Sequence, residues 1–259
     1  MTLHEGEIPP ERRGRAAYVA EFLGTLALVM FITLSVSLYV DPEAGANASS
    51  YGDYAVVGLV HVLVLFILVQ SLAIACGAHF NPAVTAALAA LGRIKPIDAA
   101  IYVAIQLAGG IAGALITMLL LGDLERAERA GYGAPALTDR IGGDVLLGML
   151  AEGVGAFFLV FVIVGVAVHP AAAKDWAGLA FGAALGLAVM AFGPLTGGAF
   201  NPARALGPAV ASGEFGDAGT WLLAVVVAPV AGGIRAALAS VRIYVAPVRR
   251  GRSRVGSVG

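Results

Sequence analysis

Two stretches decide how this chain is read: Gly77-Ala78-His79-Phe80-Asn81-Pro82-Ala83-Val84-Thr85 and Thr196-Gly197-Gly198-Ala199-Phe200-Asn201-Pro202-Ala203-Arg204. In each, a glycine-containing run leads into Asn-Pro-Ala, and a short apolar segment follows, Asn81–Leu91 and Asn201–Val210. Asparagine is a good N-cap, and proline suits the first helical position. The pattern predicts a loop followed by a half-helix. Neither segment is long enough to cross a bilayer core, which takes ~20 apolar residues. Irregular backbone at membrane depth is tolerated only where it is buried in protein or lines a cavity. Paired interrupted segments in two halves of a chain therefore point to a permeation site.

The surroundings support a membrane setting. The chain has 259 residues, 59% hydrophobic and 13% charged. A soluble domain is nearer half apolar and a quarter charged. Six stretches are long and apolar enough to span: Ala16–Val40, Tyr54–Ala75, Ile97–Leu121, Val145–Val168, Ala177–Phe192 and Thr220–Val241. Polar breaks separate them at 41–53, 122–144, 169–175 and 214–217. The net charge of −1 suggests no nucleic-acid partner. The single cysteine, Cys76, excludes an intrachain disulfide and a cysteine-cluster metal site. No cofactor motif, nucleophile elbow or phosphate loop is present, so an enzyme is not expected. No short apolar segment with a cleavage site precedes the first span, so no signal peptide is expected.

The expected architecture is one all-α membrane domain over 1–259. It comprises six transmembrane helices and two re-entrant half-helices, with repeats over 16–121 and 145–241. A polar N-terminus, 1–15, and a basic tail, 242–259, flank them. Ala20-Glu21-Phe22-Leu23-Gly24 opens one repeat and Ala151-Glu152-Gly153-Val154-Gly155 the other. Three spans per repeat is an odd number, so the second must enter from the opposite side. The half-helices then meet near the midplane, N-terminus to N-terminus. With the N-terminus inside, the cytoplasmic cations are Arg12, Arg13, Arg15, Arg93, Lys95, Lys174, Arg242, Arg249, Arg250, Arg252 and Arg254; those outside are Arg126, Arg129 and Arg140. That bias places both termini in the cytoplasm. Arg235, inside the last span, is expected to snorkel toward the inner interface.

Those residues resemble the aquaporin (major intrinsic protein) family over nearly the whole chain. The likeness rests on Ala20-Glu21-Phe22-Leu23-Gly24-Thr25, the two Asn-Pro-Ala segments, and Arg204 directly after the second. The resemblance implies a passive channel for water and small neutral solutes, a homotetramer in the lipid bilayer with one pore per subunit, and no turnover chemistry. The physics is compatible. Each half-helix carries about half a positive charge at its N-terminus, and two such ends at one narrow point oppose cations, hydronium included. Asn81 and Asn201 can each donate a side-chain N–H to a passing oxygen, which orients water and breaks a proton-hopping chain. The alternative is that each asparagine only caps a buried helix. Backbone of Gly77, Ala78, His79, Gly197 and Ala199 can line the pore wall.

The resemblance assigns the selectivity filter (the aromatic/arginine constriction) to His61, Val189, Gly198 and Arg204. Strict water channels place phenylalanine at the first of these and histidine at the second. This set is more like plant tonoplast aquaporins, some of which also pass ammonia, and hydrogen peroxide is a further candidate. The alternatives are that His61 is a packed helix histidine and Arg204 a structural arginine; the filter role is preferred, because an ionisable residue in mid-span is functional by default. Glycerol facilitators typically follow the filter arginine with aspartate; here Ala205 and Leu206 follow, against a polyol channel. The family reading makes Glu21 and Glu152 anchors for the re-entrant loops, with Gln106 serving similarly. A different class of protein, a proton-coupled secondary transporter, would use Glu21 and Glu152 as coupling carboxylates. His79 sits at the inner mouth, as lining or as a pH gate. Cys76 lies away from the filter position where some aquaporins carry a mercury-reactive cysteine, which predicts weak mercury sensitivity. The small-residue runs Gly109-Gly110-Ile111-Ala112-Gly113, Gly182–Gly186 and Gly232-Gly233 predict close helix contacts. A prokaryotic inner membrane fits the compact loops and basic tail.

Overall fold

Sustained apolar runs leave the backbone no partner but itself in a bilayer, so they fold as helices. The computed structural model describes residues 14–40, 49–168 and 172–244. In chain order the helices are α1 (Arg15–Tyr39), α2 (Ser49–Cys76), α3 (Pro82–Ala90), α4 (Pro96–Leu121), α5 (Glu125–Arg129), α6 (Val145–Ile163), α7 (Ala177–Thr196), α8 (Pro202–Ser212), α9 (Ala218–Leu222) and α10 (Ala228–Tyr244). A π-helical turn, Val164–Val168, prolongs α6, and another, Leu223–Val227, joins α9 to α10. Among the described residues, six helical stretches are thus long and apolar enough to cross a membrane. Of the eleven cations read as cytoplasmic, Arg12, Arg13, Arg249, Arg250, Arg252 and Arg254 lie outside the described residues, as do 41–48 of the first loop and 169–171 of the third. Arg235 is exposed on α10.

Element ends differ from the sequence expectation most at α2, which begins at Ser49 and not at Tyr54, and at α7. Helix α7 continues past Phe192 through Pro194 to Thr196. Proline in a last turn removes one ladder bond, but the turn still closes through Gly197 N–H to Gly193 O at 2.8 Å. Thr138 then takes the exposed carbonyls, donating its hydroxyl to Pro194 O at 2.9 Å and its amide to Leu195 O at 3.0 Å. Gly197, at φ +80°, ends the helix in the left-handed region that suits glycine.

The half-helices form as the capping residues dictate. Asn81 Oδ1 accepts the Ala83 N–H at 2.8 Å, and Asn201 Oδ1 accepts those of Ala203 and Arg204 at 3.0 and 3.3 Å. Each half-helix leans on the final span of the other repeat, α3 on α10 and α8 on α4. Glycine makes those approaches possible. A Cβ on Gly110 would stand 2.4 Å from Ala203 O, and one on Gly233 3.0 Å from Ala83 O. The same holds between spans: a Cβ on Gly109 would meet Phe22 O at 2.7 Å, on Gly182 Val62 O at 2.3 Å, and on Gly232 Gly153 O at 2.1 Å. The small-residue runs are therefore packing surfaces. The span pairs α1–α4 and α6–α10 match across the repeats, and α2 against α7 joins the halves.

Candidate functional site

The two re-entrant loops are held by buried carboxylates. Glu21 Oε1 accepts the His79 N–H at 2.8 Å; its Oε2 accepts the Phe80 N–H and the Gln106 side-chain N–H, each at 2.8 Å. Glu152 Oε1 accepts the Thr196 hydroxyl at 2.6 Å and the Ala199 N–H at 2.9 Å; its Oε2 accepts the Phe200 N–H at 2.6 Å. Both carboxylates are fully buried. A buried charge needs such partners, and backbone N–H groups freed by an irregular loop need acceptors; each need answers the other. The loops require this hold. Ala78, Phe80 and Phe200 have φ of 53°, 48° and 49°, the left-handed region that disfavours residues with a Cβ.

The glycines three residues after each glutamate complete the device. Positions i and i+3 share a helix face. Gly24 leaves room for the Phe80 ring, whose Cε1 would sit 2.0 Å from a Cβ there, and Gly155 does the same for Phe200 at 2.2 Å. The glutamate thus holds each loop's backbone while the glycine seats its aromatic ring. The Glu-x-x-Gly spacing, present in both repeats, is the sequence signal of this device.

The asparagines meet at the centre, and not only as caps. Asn81 Nδ2 donates to Phe200 O at 3.0 Å, and Asn201 Nδ2 donates to Phe80 O at 2.9 Å. Each loop is therefore clasped by the other's asparagine. An amide nitrogen carries two hydrogens, so the clasp takes one and leaves one. Pro82, Ala83, Pro202 and Ala203 are buried in the first turns behind these amides.

A cavity of about 20 Å³ runs past this point, little more than the ~10–15 Å³ that one water needs, so the bore is narrow. Its polar wall comprises His61, His79, Asn81, Asn201 and Arg204, with Ala78 and Ala199 beside them. Val189 and Gly198, the other two filter assignments, are not in this wall: Val189 is fully buried and Gly198 has no side chain to offer. Gly77 is likewise absent from it, while Gly197 faces the wider opening on the far side of Arg204. The remaining wall is apolar, including Leu28, Ile32, Leu159, Ile163, Phe181 and Leu185. Nothing in residue type separates these from lipid-facing neighbours in sequence.

Arg204 is pinned by carbonyls. It donates through Nη1 to Gly133 O at 3.0 Å and through Nη2 to Gly197 O at 3.4 Å; its Nε, also buried, has no protein acceptor. Gly133 belongs to the 122–144 loop, a polar break between spans in the sequence. That loop folds inward through Gly131-Tyr132-Gly133, all at positive φ, and a Cβ on Gly133 would lie 3.1 Å from Thr33 Cα. Tyr132 donates its hydroxyl to Gly122 O at 2.9 Å. Burial, then the carboxylates of Glu128 and Asp123, push the Tyr132 phenol above its ordinary value, so the hydroxyl stays a donor.

His61 has a defined tautomer. Its Nδ1 is 2.8 Å from Val57 O, and a carbonyl can only accept. The proton is therefore on Nδ1, and Nε2 carries a lone pair. That atom is buried in the cavity wall with no protein partner. One wall of the bore thus offers an acceptor and the Arg204 side offers donors. Among the described residues no group of His, Cys, Asp or Glu could hold a metal ion.

Comparison with known proteins agrees with this construction. The sequence profile of the family described as Major intrinsic protein matches residues 12–240. Nodulin-26 of Glycine max is 37% identical over 215 residues, covering 83% of this chain and 74% of that protein. Aquaporin TIP2-1 of Zea mays is 36% identical over 219 residues, covering 84% and 82%. Probable aquaporin AqpM of Archaeoglobus fulgidus is 33% identical over 233 residues, covering 85% and 93%. The X-ray structure of the aquaglyceroporin from Plasmodium falciparum matches with a TM-score of 0.72 at 22% identity, covering 89% of this chain and 96% of that one, a likeness of fold.

Proposed function

The chain belongs to the major intrinsic protein family, a family of membrane channels and not of enzymes, and from that premise we propose that its bore passes water together with ammonia and hydrogen peroxide while excluding protons and ions. The observation that carries the reading is the unpartnered Nε2 lone pair of His61 in the same wall as the Arg204 guanidinium. A solute at that point must donate a hydrogen to the imidazole and accept one from the guanidinium. Water, ammonia and hydrogen peroxide do both. A metal cation does neither and meets a fixed positive charge. Hydronium also meets the paired helix N-termini at Asn81 and Asn201.

The proposal extends to a single domain over the whole chain, a homotetramer with one pore per subunit, and both termini in the cytoplasm. The glutamates serve as loop anchors here and not as proton-coupling groups: each accepts two backbone N–H groups from its loop, with Gln106 adding a bond to Glu21 and Thr196 one to Glu152.

The test is stopped-flow permeability of proteoliposomes carrying wild type or His61→Phe. Wild type shrinks osmotically with a low activation energy and admits ammonia without dependence on a proton gradient. His61→Phe keeps water flux and loses ammonia flux. Equal selectivity in the two proteins removes His61 from the filter, and saturable, gradient-dependent uptake by wild type defeats the channel reading.

A further inference from the structure

Behind the inner part of the bore lies a hydrogen-bond relay that conduction past the asparagines does not use. His79 is 5% exposed and stands in the cavity wall. Its Nδ1 lies 3.1 Å from Thr85 Oγ1. Gln106 Nε2 lies 2.9 Å from that same hydroxyl and 2.8 Å from Glu21 Oε2. Thr85, Gln106 and Glu21 are each fully buried.

Donor accounting fixes the protons. Glu21 already accepts two backbone N–H groups, so it is an acceptor toward Gln106 as well, and the amide must present its NH₂. The second N–H of that amide then points at Thr85 Oγ1, which accepts. The threonine hydroxyl has one proton of its own. Its other acceptors are His79 Nδ1 at 3.1 Å and Gln106 Oε1 at 3.3 Å. Returning the proton to the amide that donates to it demands a sharply bent, longer bond. The proton goes to His79 Nδ1. A neutral imidazole has one N–H, so it resides on Nε2.

We infer that Glu21, acting through Gln106 and Thr85, locks His79 as the Nε2–H tautomer, and that Thr85 and Gln106 are positioning residues for solute passage. The functional half of this inference rests on the proposed pore. The two cavity histidines then carry opposite tautomers. His61, set by Val57 O, has its lone pair on Nε2; His79, set by the glutamate relay, has its hydrogen there. The two rings thus differ at Nε2, a lone pair at His61 and a hydrogen at His79. The second repeat has Ala205 where the first has Thr85, each four residues after its asparagine, so the relay exists on one side of the bore only.

Solid-state NMR of ¹⁵N-histidine-labelled full-length protein in lipid vesicles reads the tautomer directly, with the His79 signals assigned by their loss in His79→Gln. Wild type shows His79 protonated at Nε2. Thr85→Val gives a mixture with the Nδ1–H form and lowers osmotic water permeability by roughly two- to five-fold, the effect of one hydrogen bond. Thr85→Ser retains the wild-type tautomer and flux. Protonation of His79 at Nδ1 in wild type overturns the inference. So does an unchanged tautomer in a Thr85→Val protein whose thermal unfolding matches wild type. Absence of water flux in wild type would instead strike the channel reading and leave the tautomer assignment standing.

Discussion

Glu152→Gln is the substitution that most sharply separates an anchored channel from a coupled transporter. In the wild type, one carboxylate oxygen accepts from Thr196 Oγ1 and Ala199 N, and the other from Phe200 N. An amide of the same shape can keep its carbonyl at the first position. Its NH₂ then faces the Phe200 N–H, donor against donor. That orphans one buried backbone donor, at about 1–3 kcal/mol, and weakens two charge-assisted bonds to neutral ones, at roughly 1 kcal/mol each. The loss of about 3–5 kcal/mol is a large part of a typical net stability of about 5–15 kcal/mol. At ~2–4 °C per kcal/mol for a chain of this size, the melting temperature in detergent falls by about 10 °C. The second re-entrant loop loosens with it, and since Phe200 O receives the Asn81 amide, the clasp at the midplane loosens too. Osmotic water permeability of vesicles, normalised to folded protein, therefore drops as well. A coupling carboxylate behaves differently: glutamine mimics its protonated form, leaves the fold intact and removes gradient dependence. A Glu152→Gln protein that melts like wild type and conducts water at the wild-type rate would falsify the anchor argument.

Two further outcomes follow from packing. Gly24→Ala drives a methyl to 2.0 Å from the Phe80 ring, and Gly155→Ala to 2.2 Å from that of Phe200, so each destabilises by at least the ~1–3 kcal/mol of ordinary overpacking. Reduced yield of folded protein and a lower melting temperature check this, and wild-type melting of either variant contradicts the seating of the rings. Mercuric chloride inhibits weakly, because Cys76 is fully buried, donates to Leu72 O at 3.3 Å and receives the Ala78 N–H at 3.3 Å. Strong inhibition that disappears in Cys76→Ser would show that the thiol is reachable.

The legible part of this protein was what local chemistry writes directly into the chain. Apolar runs longer than a bilayer core announce helices, because only a helix satisfies its own backbone in lipid. Asn-Pro after a glycine-containing run announces a helix start, because the side chain caps and the proline needs no donor. Helix α7 runs past its expected stop through Pro194 because Thr138 takes its terminal carbonyls, a partner far away in sequence. Gly133, the acceptor that holds Arg204, had no signal of its own beyond an unusual Gly-Tyr-Gly, since a backbone carbonyl is the same in every residue. The apolar residues of the bore had none, because facing the pore and facing lipid call for the same side chains.

The two Asn-Pro-Ala segments by themselves determined that there are two half-helices and that their N-termini belong together. The tertiary structure alone decided what the asparagines do there. Each caps its own helix with oxygen and clasps the opposite loop with nitrogen, across 119 and 121 residues of chain. It also decided which nitrogen of His61 is bare, through Val57 O. Caps and spans are set by neighbours in sequence, within reach of a local pattern. Proton placement and pore walls are set by whichever donors and acceptors packing brings together, and no local pattern contains them.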